Sequence, residues 1–63
     1  MRVLRNVDGY LLEDVAKEIA QVYGGEVNDW KVQDGKLIVE YNEHGEFGVS
    51  ELPLSEVKSF MEM

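Results

Sequence analysis

The stretch that decides the fold surrounds the dipeptide Asp34-Gly35, and it reads VNDWKVQDGKLIVEY over residues 27–41. Asp-Gly between two apolar runs favours a two-residue type I′ turn, because both central residues must accept a positive φ. Counting outward from this turn predicts an antiparallel hairpin in which Asp29 lies opposite Glu40. The apolar side chains then share one face: Trp30, Val32, Leu37, Val39 and Tyr41.

The next turn, at residues 43–45, is compatible with two registers. A two-residue loop would place Phe47 and Val49 on the polar face of the sheet. A three-residue loop, with its glycine in the left-handed position of a bulge, pairs Phe47 with Tyr41 and Val49 with Val39. Because the second register extends the apolar face, we predict the three-residue loop, which leaves carboxylates on the outer surface and Ile38 pointing away from the apolar face.

Residues 10–23 repeat their apolar positions at helical spacing and predict an amphipathic helix. Asp8 is the expected N-cap, and Gly24-Gly25 supplies the left-handed residue that ends the helix. Residues 1–7 are rich in branched side chains and predict a first strand. The predicted inward stripe of the helix consists of Leu12, Val15, Ala16, Ile19 and Tyr23.

Pro53 ends the third strand of the sheet, since it lacks an amide hydrogen, and it favours the start of a short C-terminal helix. The sequence therefore predicts one α+β domain over residues 1–63 with the element order β-α-β-β-β-α. We expect a small, mostly antiparallel sheet with one face covered by the first helix and by the C-terminal helix. The place of the first strand in the sheet is left open.

Composition limits the compartment and the partners. The 63 residues include no cysteine, and 13 acids against 6 bases give a net charge of −7. The charge disfavours direct binding to nucleic acid or to anionic membranes. We expect a cytoplasmic protein, because the lack of cysteine fits a reducing compartment and no apolar run approaches a membrane span. A chain this short often gains stability from a partner subunit, so a homodimer is expected.

The acidic side chains are unevenly distributed. Residues 37–57 contain five glutamates and no lysine or arginine. Such charge can serve solubility and block edge-to-edge pairing. The predicted like-charge pair of Asp29 with Glu40 favours a binding role, because acids held opposite each other are candidates to bind a cation or a basic protein surface. The predicted partner-binding residues are Asp29, Ile38, Glu40, Glu43 and Glu46.

No combination of residues predicts catalysis, a metal site or a cofactor. His44 is the single histidine and lies in a predicted turn tip, where nothing orients it as a general base. Ser50, Ser55 and Ser59 have no histidine placed beside them by the predicted register. No calcium-loop pattern is present, so we expect no metal, no cofactor and no enzymatic activity.

Two functions of different kinds fit these features. The first is a small acidic, non-enzymatic interaction module, an inhibitor or regulator that engages a basic partner surface and, in its most specific form, mimics DNA with its carboxylates. The alternative is a homodimeric structural or assembly protein whose acidity keeps it soluble.

Overall fold

The computed structural model describes residues 5–63, and all structural statements refer to these residues. The chain forms an α+β fold, as the sequence predicts. The elements are β1 (Asn6–Val7), β2 (Tyr10–Leu11), α1 (Leu12–Val22), β3 (Glu26–Gln33), β4 (Lys36–Glu43), β5 (Glu46–Pro53), a 3-10 turn (Leu54–Glu56) and α2 (Val57–Met61). The last three strands form an antiparallel sheet in the order β3-β4-β5, and β1 pairs with β2 in a separate two-stranded sheet.

The hairpin of β3 and β4 confirms the register predicted from the first turn. Asp34 and Gly35 both have a positive φ, of 55° and 73°. Asp29 lies opposite Glu40, and the pairs between them and the turn follow in sequence. A bulge at Asn28 interrupts the pairing beyond Asp29. The face that packs against α1 therefore carries the five apolar residues predicted to share it, Trp30, Val32, Leu37, Val39 and Tyr41, while Ile38 lies on the opposite face.

The second hairpin contradicts the predicted three-residue loop. His44 and Gly45 have φ values of 51° and 86° and form a two-residue turn. Phe47 consequently lies opposite Asn42, and Val49 opposite Glu40, so both apolar side chains face away from α1. Histidine tolerates the left-handed conformation better than most residues, and a turn of this type matches the twist of the strands.

The packing of Tyr41 gives a second reason for this register. Gly48, and not Phe47, lies opposite Tyr41. The ring of Tyr41 occupies the space that a side chain at residue 48 would need. The predicted pairing of Phe47 with Tyr41 would have placed a second ring there. Trp30 and Phe47 therefore lie on opposite faces of the sheet.

The N-terminal region differs from the prediction in a second way. Asp8 and Gly9 form a positive-φ turn between β1 and β2, so Asp8 is not the N-cap of α1. The helix begins at Leu12 rather than Tyr10, its N-cap is Leu11, and the Leu12 amide donates to the Arg5 carbonyl. Of the predicted first strand, Asn6–Val7 is observed as β1, and residues 1–4 lie outside the described residues.

Helix α1 packs on β3 and β4 and forms the core with them. The predicted stripe is buried except for Tyr23, which is 43% exposed and lies beyond the helix end, where Gly24 takes the expected positive φ. Val57 of α2 is fully buried in the same cluster, as expected for the C-terminal helix. No helix within residues 5–63 has the length and apolar character needed to cross a bilayer. The main cluster of buried core residues consists of Leu12, Val15, Ala16, Ile19, Leu37, Val39 and Val57.

Candidate interaction surface

The structure divides the five predicted partner-binding residues between two faces. Asp29, Ile38 and Glu40 lie on the face of the sheet opposite α1, which we call the outer face. Glu43 and Glu46 lie opposite each other and project to the helix side, at the end of the hairpin. The five residues therefore do not form one continuous acidic surface. Glu43 lies on the helix side because side chains alternate along β4, and the two-residue turn places Glu46 there with it.

Asp29 and Glu40 form the predicted like-charge pair, directly opposite each other on the outer face. One carboxylate oxygen of Asp29 accepts a hydrogen bond from the Trp30 amide at 2.8 Å. Lys31 is two residues from Asp29 on β3, so it lies on the same face, and it is paired with Ile38. A like-charge cross-strand pair costs roughly 0.2–1 kcal/mol, so the fold retains this pair at some cost.

A second acidic pair was not predicted. Glu43 and Glu46 flank the turn at His44-Gly45 and lie directly opposite each other. The predicted three-residue loop does not pair Glu43 with Glu46, because it shifts the register between the two strands. The signal that could have found it is the sequence of the turn, in which a residue tolerant of positive φ precedes glycine.

An apolar strip on the outer face is the main feature that sequence reasoning missed. Phe47 is 63% exposed and Val49 is 53% exposed, and both project from β5 on this face. Ile38 of β4 is half-buried and lies diagonal to Val49. These three residues, which we call the apolar strip, form a hydrophobic surface across two adjacent strands.

Charged and amide side chains border the apolar strip on the outer face. Val49 lies opposite Glu40, and Glu40 lies opposite Asp29, so these three residues form one row across the three strands. Lys36 forms a salt bridge with Glu51 at one end, with 3.3 Å between Nζ and Oε1. At the other end the side-chain amide of Asn42 donates to Asn28 Oδ1 at 2.8 Å. The face thus combines exposed apolar groups with an acidic edge, and the salt bridge leaves Glu51 locally compensated.

Two tyrosines, Tyr10 and Tyr41, have a raised pKa. The hydroxyl of Tyr10 donates to Glu62 Oε2 at 2.6 Å, and this bond raises the pKa of Tyr10. Desolvation raises the pKa of Tyr41, with smaller contributions from Tyr23 and Glu43. Both shifts favour the neutral phenol. They keep these groups uncharged near neutral pH and supply neither a base nor a nucleophile there.

Two clefts elsewhere on the described part of the chain are open to solvent. One, of about 280 Å³, lies between the N-terminal hairpin and β3 and is lined by Arg5, Leu11, Glu13 and Trp30. Another, of about 210 Å³, lies between α1, α2 and β5. Within residues 5–63, no three histidine or acidic side chains are grouped as metal ligands would be.

No protein-family model, curated protein or solved structure matches this chain. By its fold and its surface, the protein is a small α+β domain in which one face of the sheet is amphipathic and acidic. Its function has to be inferred from the chemistry of that face.

Proposed function

We propose that this protein is a non-catalytic interaction module that binds a protein partner through the outer face of its sheet, as an inhibitor or regulator. One observation carries the proposal: two large apolar side chains, Phe47 and Val49, project into solvent beside the acidic pair of Asp29 and Glu40. The cytoplasm is the compartment we expect for it, since the full sequence has no cysteine.

The apolar strip supplies the affinity in this proposal. Burying an exposed phenylalanine or valine side chain contributes about 1.5–3 kcal/mol. Aromatic residues are enriched in the desolvated centres of interfaces, with polar groups around them. Phe47 on a regular strand is held by the sheet, so little backbone freedom is lost when a partner covers it.

The acidic groups supply partner selection. A net charge of −7 speeds encounter with a basic protein and disfavours an acidic one. A lysine or arginine placed by the partner between Asp29 and Glu40 would relieve their mutual repulsion. This arrangement favours a basic and apolar protein surface over mimicry of DNA, because a phosphate mimic needs carboxylates where Phe47 and Val49 lie.

Site-specific photocrosslinking in cells that express the protein tests the proposal. A photoreactive phenylalanine analogue is introduced at Phe47, with a matched control at Tyr23, an exposed aromatic position on the helix side. We expect a discrete adduct with one basic protein from position 47 and none from position 23. An adduct with a second copy would have twice the mass of the 7.2 kDa chain and would not count as the partner.

The captured protein is then purified and titrated with the unmodified domain. We expect Phe47→Ser to weaken binding by roughly tenfold or more, given the burial energy of an aromatic anchor. We expect Glu40→Gln to weaken binding more at low salt than at high salt. Binding that is indifferent to both substitutions would refute the outer face as the site.

The alternative function, a homodimeric structural or assembly protein, is favoured by a different observation. Strand β5 is an edge of its sheet and pairs with β4 alone within residues 5–63.

A further inference from the structure

Among residues 5–63, β5 pairs with β4 alone, and the main-chain groups along its other edge are unpaired in a regular pattern. A two-residue turn is closed by a hydrogen-bonded pair, here Glu43 with Glu46, and hydrogen-bonded pairs then alternate with non-hydrogen-bonded pairs along the hairpin. The amides and carbonyls of Phe47, Val49 and Glu51 consequently point away from β4. These three residues are arranged symmetrically about Val49.

The two edges of the sheet are protected to different degrees. β3 has a bulge at Asn28, a lysine at Lys31, and the N-terminal hairpin close to Trp30. Bulges, lysines and covering segments are the usual devices that prevent strands from pairing between molecules. β5 pairs with β4 without a bulge and has no lysine, and its proline is the last residue, Pro53. Its central segment is therefore open to another strand.

Apolar surface flanks the β5 edge on both sides. The apolar strip lies on the outer face. On the helix side, α1 covers β3 and β4, and a groove of about 210 Å³ beside β5 is left open. Val22, which is 67% exposed, and Phe60 line this groove together with Leu52. A strand added to β5 would meet apolar groups on both faces.

We propose that β5 pairs in antiparallel fashion with β5 of a second copy, about a two-fold axis that passes through Val49 perpendicular to the sheet. Val49 then lies opposite the second copy's Val49, and Phe47 lies opposite the second copy's Glu51. Each outward amide of the three residues donates to the outward carbonyl opposite it. The result is a continuous six-stranded sheet in which both outer faces lie on the same side.

The second copy is the occupant that the β5 edge fits best. The pattern of outward groups is self-complementary about Val49, and the register places no acid of β5 opposite another acid. A two-fold contact of this kind closes at the dimer instead of propagating. A strand pair alone buries less surface than a standard interface, so we expect dimerisation at micromolar concentrations. The dimer leaves the outer face open, so it goes beyond the proposed partner binding.

Analytical ultracentrifugation of the wild-type protein across the micromolar range gives the first test. We expect the mass to rise from 7.2 kDa towards twice that value. Raising the salt from about 50 mM to about 500 mM should preserve or tighten the dimer, because the two acidic copies repel each other less. A mass that stays at that of one chain throughout the range would overturn the proposal.

Val49→Pro gives the second test, because it blocks the free edge without removing a hydrogen bond from the hairpin. The Val49 amide points away from β4, and proline is tolerated on an edge strand in that position. We expect the association constant to fall by roughly tenfold or more, since two symmetry-related hydrogen bonds are lost. Circular dichroism verifies the fold, and Val49→Lys serves as a second edge-blocking variant. Folded variants that dimerise as strongly as the wild type would refute the pairing.

Disulfide formation tests the register. The sequence has no cysteine, so a single introduced thiol is unique. Residues in a hydrogen-bonded pair have Cα atoms about 5.5 Å apart, within the range a disulfide can span, so Val49→Cys should form a covalent dimer under mild oxidation. Phe47→Cys is the matched control, since it is at least as exposed but lies two residues from the axis. Equal crosslinking of the two variants would exclude the register centred on Val49.

Photocrosslinking to a basic partner and formation of the β5 dimer are separate results. A monomeric protein that still captures its partner from position 47 would overturn the dimer and leave the proposed function standing. A dimer that captures no partner would do the reverse.

Discussion

The ring of Tyr41 lies against Gly48, its cross-strand neighbour on β5. A Cβ atom added at Gly48 would come within 2.5 Å of Tyr41 Cζ. Tyr23 stacks on the same ring, with the two centroids 5.0 Å apart and the planes 7° from parallel. Tyr41 is thus enclosed between the end of α1 and the third strand, and this packing links the helix to β5.

We expect Gly48→Ala to destabilise the fold, although alanine is ordinarily no worse than glycine in a strand. The added methyl must displace the Tyr41 ring, and overpacking of this kind costs about 1–3 kcal/mol. Urea unfolding measures the loss. Ser50→Ala is the matched control, because Ser50 lies on the same strand and the same face, opposite Val39. A neutral or stabilising Gly48→Ala would contradict the observed contact.

Because Phe47 is exposed, its substitution should cost little stability, which is unusual for a large aromatic residue in a sheet. We expect Phe47→Ala to change the free energy of unfolding of the monomer by less than about 0.5 kcal/mol, the range for surface positions. Leu37→Ala, at a fully buried position on the helix side of β4, should cost about 2–5 kcal/mol. Chemical denaturation at low protein concentration compares the two. A large loss of stability in Phe47→Ala would instead support the three-residue loop, in which Phe47 is buried.

The raised pKa of Tyr41 predicts a loss of stability in alkaline solution. Desolvation favours the neutral phenol in the folded protein, so the unfolded chain releases the proton first, near its ordinary pKa of 10.0. The stabilising contribution is therefore fully present below pH 10 and is lost as the pH rises above it. Denaturation from pH 8 to about pH 11 should show this decline. The slope should be shallower in Tyr41→Phe, and an unchanged slope would show that Tyr41 is not the group responsible.

The first turn was predictable because its chemistry and the side-chain alternation agree. Asp34-Gly35 fits one turn type. The register counted from it leaves five apolar residues on a single face, as observed: Trp30, Val32, Leu37, Val39 and Tyr41. The helix face was predictable for the same reason, since the periodic positions of α1 are buried. Where turn or capping chemistry and side-chain periodicity agree, the local structure can be predicted from the sequence.

The second turn was predicted wrongly because its chemistry and the side-chain alternation disagree. The assumption that Phe47 and Val49 belong in the core forced a bulge, whereas the turn at His44-Gly45 has the ordinary two-residue form. The decisive constraint is the ring of Tyr41 over Gly48, a tertiary contact with no periodic signature. Phe47 and Val49, the residues whose register was predicted wrongly, are two of the three residues of the apolar strip.

The acidic pair of Asp29 and Glu40 makes the last prediction, because removing one charge should strengthen the fold. We expect Glu40→Gln to stabilise the monomer by about 0.2–1 kcal/mol at low salt, and by less at high salt. Glu26→Gln is the matched control: it removes the same charge from the same hairpin, but Glu26 lies opposite the neutral Asn42. Thermal unfolding of both variants at two ionic strengths measures the difference. Equal effects in the two variants would mean that net charge, not the pair, is responsible.

The same substitution separates a binding role from solubility. If Glu40 binds a basic partner, Glu40→Gln should weaken that complex while it stabilises the free domain, so the two effects have opposite signs. If the acid serves only solubility, the fold should gain stability and the photocrosslinked partner should bind with unchanged affinity. The combination of a more stable domain and a weaker complex is the outcome we expect, because the fold retains a repulsive pair beside its most exposed apolar residues on this face.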